Sequence, residues 1–110
     1  MNEDTAIAWA AGLFEGEGCI TGNKNVPNLR EIKIKMTDKD VMQRFVDIVG
    51  YGNLRGPYTQ RNRPSTKPFW VWAIGKRLEV VRILTMFLPY FGERRSEKAI
   101  EAITHFETIN

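Results

Sequence analysis

The sequence contains one cysteine, Cys19, so no disulfide can close within the chain. That scarcity suits a reducing, intracellular setting. No apolar run approaches the roughly 20 residues that a membrane-spanning helix needs. The N-terminus lacks the basic stretch and apolar block of a secretory signal. Residues 1–18 have no Lys or Arg at all, only the acids Glu3, Asp4, Glu15 and Glu17. A disulfide-framed secreted module and a membrane protein are therefore both disfavoured. What is present argues against disorder. Hydrophobic residues make up 43% of the 110, with three Trp, three Tyr and six Phe, enough for a core. The length fits a single domain spanning 1–110. Residues 24–67 carry ten basic residues against four acidic ones, whereas the net charge is only +3. A basic middle suits a polyanion, most often nucleic acid, although Lys and Arg also serve simply to solvate a surface.

Pattern and punctuation give the element order. Residues 5–18 (TAIAWAAGLFEGEG) read as a helix capped by Asp4 or Thr5 and ending in glycines. It is apolar on every side, so it needs cover on more than one face, and a second subunit is one source. Strands follow at 19–25 and 29–36. In the latter, Ile32, Ile34 and Met36 alternate with Glu31, Lys33 and Lys35, the mark of a sheet with one wet face. A helix over 38–49, capped by Thr37 or Asp38, carries Val41, Met42, Phe45, Ile48 and Val49 and stops at Gly50. Strands at 51–56 and 69–74 flank a long polar loop bearing Arg61, Arg63 and Lys67. A third helix over 76–88 points Leu78, Val81, Leu84 and Leu88 inward and ends at Pro89. A last helix over 93–108 carries Ile100, Ile103 and Phe106 on one side. The expected class is α/β (α+β), with order αββαββα and a short C-terminal helix.

The stretch Ala11–Gly18 breaks local rules. Gly12, Gly16 and Gly18 fall within one helix end, where each internal glycine costs about 1 kcal/mol relative to Ala. Glu15 and Glu17 sit at the negative end of the helix dipole, where a base is preferred. Such violations tend to mark function. Ala8, Gly12 and Gly16 share a face on which another backbone can approach closely. If two copies pair there, both Glu17 carboxylates arrive at one end, and a divalent ion relieves their repulsion. A glycine-rich cap with two solvated acids explains the same residues without any ligand.

Ala10–Gly18 (AAGLFEGEG) resembles the motif of the LAGLIDADG homing endonucleases. Ile34-Lys35-Met36-Thr37-Asp38 resembles the family's passage from second strand to second helix. Phe87–Arg95 (FLPYFGERR) resembles the Pro-centred basic turn before its last helix. The resemblance implies a homodimer that hydrolyses double-stranded DNA at a long, roughly palindromic site. It also implies 3′ overhangs, Mg²⁺ or Mn²⁺ as cofactor, and an intron-, intein- or phage-borne gene. Glu17 would be the metal ligand, aided by the backbone carbonyl of Gly16. Asp38 would lie near the attacking water, and Arg94, with Arg95 and Lys98 as neighbours, near the scissile phosphate. Asp38 as a plain helix cap and Arg94 as a solvated helix-start residue remain alternatives. The motif opens on Ala10 rather than Leu, and both acids are Glu rather than Asp, which bears on metal geometry. Glu15 is read as structural or as a neighbour of the ligands.

A curved sheet lying in the major groove would present Thr21, Asn23, Asn25, Glu31, Lys33, Lys35, Asn53, Arg55, Phe69 and Val71 outward. Ile20, Ile32, Ile34, Met36, Leu54, Trp70 and Trp72 would point inward. Phe69 and Val71 could touch thymine methyls, unless the phase of that weakly alternating strand is inverted. Arg61, Arg63 and Lys67 would grip phosphates. His105 is expected on a helix surface and Cys19 as a small packing residue. Rival readings are a binding protein of the same fold for DNA or intron RNA, and a small-ligand regulatory dimer.

Overall fold

Asn2, rather than Asp4 or Thr5, starts the first helix. Its side-chain oxygen accepts the Thr5 backbone N–H at 2.8 Å, which moves the cap upstream and leaves Glu3 and Asp4 in the first turn, where the dipole favours acids. The computed structural model describes residues 2–23, 26–60 and 67–108. Helix α1 (Glu3–Glu17) runs directly into β1 (Gly18–Asn23), followed by β2 (Val26–Met36), α2 (Lys39–Val49), β3 (Arg55–Tyr58), β4 (Phe69–Ile74), α3 (Arg77–Phe87) and α4 (Glu93–Thr108). A 3-10 turn over Leu88–Tyr90, holding Pro89, separates the last two helices. The passage from α1 to β1 needs Gly18, because a Cβ there would collide with the Phe14 ring and carbonyl.

The four strands form one antiparallel sheet in the order β1-β2-β4-β3. Ile32 faces Ile74, Ile34 faces Trp72 and Met36 faces Trp70 across β2 and β4, which fixes the phase of β4. Trp72 and Ile74 are buried, so Phe69 and Val71 point away from the core. The inverted phase is excluded. All four helices contribute to one buried cluster against the inner sheet face: Phe14 from α1, Phe45 from α2, Ile83, Leu84 and Phe87 from α3, and Ala99 and Ala102 from α4.

Several expectations shift. Residues 51–54 are a turn, and the third strand covers Arg55–Tyr58 instead of 51–56. Gly50 and Gly52 both take left-handed backbone (φ 78 and 76), which stops α2 and prevents an extended run until Arg55. The strand then includes Pro57, tolerated because β3 is at the sheet edge. On α3 the buried stripe is Val80, Ile83, Leu84 and Phe87, while Leu78 is 61% exposed. Both sets satisfy helical spacing, and only packing against α1 and the sheet decides between them. On α2, Val46 is buried as well, whereas Val41 and Ile48 are only partly so. Ile100 is 51% exposed, because the face of α4 that packs inward carries Ala99, Ala102 and Phe106. Cys19 is exposed rather than packed. The C-terminal helix fills its expected span, but at sixteen residues it is not short: it is one residue longer than α1.

Trp72 anchors the middle of the core. Its indole Nε1 donates to the Tyr51 carbonyl at 2.8 Å, and its ring meets Phe45 edge-on with centroids 4.9 Å apart. Trp72→Ala should lower the unfolding free energy by about 3–5 kcal/mol. Urea denaturation measures this, and a loss below about 1 kcal/mol, the size of an ordinary surface change, would contradict the assigned role.

Candidate functional site

Two residues apart on a helix means about 200° of rotation, so Glu15 and Glu17 leave the end of α1 on opposite sides. Glu15 turns toward the start of α4, where its Oε1 accepts the Gly92 N–H at 3.1 Å. Arg95 answers from α4. Its Nη2 donates to the carbonyls of Glu15 (2.8 Å) and Gly18 (3.1 Å), and its guanidinium lies 5.5 Å from the Phe14 ring centre. The last turn of α1 contains no base of its own, and Arg95 supplies the positive charge that its carbonyls favour. Glu15 thus fastens the end of α1 to the start of α4. Arg95 braces the helix end with one of its nitrogens, Nη2. Sequence reasoning missed this contact, although two acids with no base at a helix end are the signal that a cation must come from elsewhere.

Glu17 points the other way and is exposed. It borders an open hollow of about 420 Å³ together with Asp38, Lys35, Lys67, Gln60 and Phe69. Asp38 occupies the N-cap position of α2 without making a side-chain cap bond. Its carboxylate is therefore not committed to the helix start. Glu17, Asp38 and Lys67, distant in sequence, come together here; Gln60 had not been singled out. Arg94 is elsewhere: it lines a second hollow of about 280 Å³ with Glu15, Arg95 and Lys98. This single chain does not bring Arg94 into the Glu17 hollow.

The outward sheet face starts at the Glu17 hollow and runs away from it in rows set by the strand register. Phe69 stands beside Tyr58, and their ring centres are 5.7 Å apart. Next come Lys35, Val71 and Arg55, then Cys19, Lys33 and Ala73, and last Thr21 and Glu31. The Lys35 ammonium sits 4.2 Å from the Phe69 ring centre. Cys19, Tyr58 and Ala73 were not anticipated on this face. Asn53, expected on it, lies in the turn before β3 and is exposed there. Asn23 closes β1. Asn25, Arg61 and Arg63 lie outside the described residues.

A third feature is the bare side of α1. Gly12 and Gly16 are exposed and Ala8 half-exposed. A Cβ built on either glycine meets no other atom within 4 Å. Within one chain, nothing explains why this helix keeps glycines that weaken it. Among the described residues, no helix is long and apolar enough to cross a membrane.

No protein-family model matches the sequence, and no curated protein is similar to it in sequence. Solved structures do match. The homing endonuclease I-CvuI, in complex with its target in the presence of Ca, superposes with a TM-score of 0.71 at 16% identity, over 96% of this chain and 68% of that one. The homing endonuclease I-TnaI gives 0.66 at 17% identity, over 97% and 72%. The archaeal intron-encoded homing endonuclease I-Vdi141I, complexed with DNA, gives 0.62 at 15% identity, over 96% and 67%. At these identities the likeness establishes the fold.

Proposed function

Starting from a chain with the LAGLIDADG homing-endonuclease fold, we propose that it is one subunit of an intracellular homodimer that cuts double-stranded DNA with divalent metal ions. The observation that carries this reading is the hollow shared by Glu17 and Asp38 at the end of the outward sheet face. A strand of DNA lying on that face would pass its backbone across both carboxylates. Sheet and acids together account for a binder that also cleaves; a regulatory dimer would need neither arrangement.

The donor set fits Mg²⁺ or Mn²⁺. Glu17 and Asp38 are hard oxygen donors in one open hollow, and among the described residues no group of three or more His, Cys, Asp or Glu gathers. Mg²⁺ commonly takes one or two carboxylates and fills its remaining positions with water and phosphate oxygens. Glu17, with the Gly16 carbonyl, would hold the ion. The ion supplies positive charge as negative charge builds on the phosphodiester. Asp38 accepts a proton from the attacking water. The water oxygen bonds to phosphorus as the bond to one sugar oxygen breaks, and that oxygen takes a proton from solvent. Arg94, beside Lys98, would donate to phosphate oxygens, Lys67 would hold the backbone beside the cut, and Arg61 and Arg63 would hold it further out.

Pairing through Ala8, Gly12 and Gly16 places two such sites side by side, one for each strand. A symmetric dimer reads inverted half-sites, so the target is long and pseudo-palindromic, and the two cuts are offset to leave 3′ overhangs. The separation of Arg94 from the Glu17 hollow favours a second reading, in which the same fold binds DNA or intron RNA without cutting. Selection from a randomised duplex library in Mg²⁺, with sequencing of the cut ends, tests the proposal. Inverted repeats flanking a staggered cut are expected. Enriched but intact duplexes would favour the second reading, and no enriched or cut site from folded protein would sink both.

A further inference from the structure

A sheet face that meets DNA is expected to be polar, yet the rows nearest the Glu17 hollow are not. Phe69 and Val71 point outward and are only half-buried, and Tyr58 is 44% exposed. They occupy the first two rows. The last row, farthest from the hollow, is Thr21 and Glu31. Apolar side chains are therefore concentrated at the cutting end, while lysines and an arginine stand in and behind them. A cluster of exposed apolar groups on a charged surface suits a partner that is apolar and is carried by a polyanion. The 5-methyl group of thymine in the major groove fits that description, and it is the only methyl the four bases present there.

Spacing supports the match. Successive outward residues on a strand are about 6.6–6.8 Å apart, two base-pair rises of about 3.4 Å. Phe69 and Val71 thus face base pairs two steps apart along the groove rather than one pair twice. Lys35, paired with Val71 on the neighbouring strand and with its ammonium 4.2 Å from the Phe69 ring centre, keeps a positive charge over the same stretch.

We propose that Phe69 and Val71, flanked by Tyr58, make thymine the preferred base at the pairs of each half-site closest to the cut. The inference rests on the DNA-cutting reading above and adds part of the target sequence to it. The far row, Thr21 and Glu31, has no fully apolar side chain and carries a carboxylate, so no such preference is assigned to it.

The test begins with duplexes selected from the randomised library. Each thymine is then replaced by deoxyuridine, which removes only the methyl group, and binding is measured in EDTA so that no strand is cut. Inner replacements should weaken binding about fourfold each, the effect of one buried methyl-sized group. Outer replacements should leave it unchanged. Val71→Ala and Phe69→Ala, checked for folding by thermal melting, should each erase the difference between thymine and uracil at one inner position and leave it at the other. A selected site with no thymine at its inner pairs overturns this inference alone, as does equal binding of the thymine and uracil duplexes by the parent protein. No selected site at all overturns the DNA reading, and this inference with it.

Discussion

Glu17→Gln should abolish cleavage and spare binding. The amide keeps the shape and length of the side chain but can no longer offer a charged ligand. Metal-derived stabilisation of a phosphoryl transition state is several kcal/mol, and each 1.36 kcal/mol is tenfold in rate, so a loss on the order of a thousandfold is expected. Glu17 is exposed and ends its helix, so the substitution should change stability by no more than about 0.5 kcal/mol. Affinity for the selected duplex in EDTA should hold, because the outward sheet rows are untouched. Single-turnover cleavage and a binding titration on the same preparation separate the two effects. A variant that cuts at the parental rate would show that Glu17 holds no essential metal.

Gly12→Leu should act in the opposite sense on the isolated chain and on the dimer. A side chain at Gly12 meets nothing within 4 Å in one subunit, and leucine is the better helix former by close to 1 kcal/mol. The monomer should become slightly more stable. If α1 packs against a second copy of itself, the same side chain blocks close approach. Sedimentation should then report a monomer at concentrations where the parent is dimeric. Affinity for a duplex with both half-sites should fall by about a hundredfold or more, the scale of lost bivalency, while affinity for a half-site duplex is unchanged. A dimer that still cuts both strands would move the subunit contact away from α1.

The parts of the fold that could be read from sequence were those decided by local chemistry. The alternation of residues 31–36 gave β2 its inner and outer faces, and Gly50 marked the end of α2. The parts that could not be read depend on contacts remote in sequence. On α3, Leu78 and Val80 each begin a helical stripe, and the choice is made by what α1 and the sheet place opposite. On α4, the inward face carries Ala99, Ala102 and Phe106, which leaves Ile100 exposed. At the candidate site the contrast is sharper. Glu17 and Asp38 were legible from the motif and the landmark that follows it, and they share a hollow. Arg95 was named only as a substitute for its neighbour, because its hydrogen bonds to Glu15 and Gly18 reach back about eighty positions, beyond any local pattern.

Those bonds, with the one from Gly92 to Glu15, also order events in time. The end of α1 is made about eighty residues before the groups that fasten it. Contacts of such long range form late, since loop closure must precede any gain from them. A growing chain therefore carries its Glu17 carboxylate without the brace that sets the helix end until Gly92 and Arg95 have been made. Amide exchange at Gly16–Cys19 should stay fast in chains released before Gly92 and slow once α4 has docked.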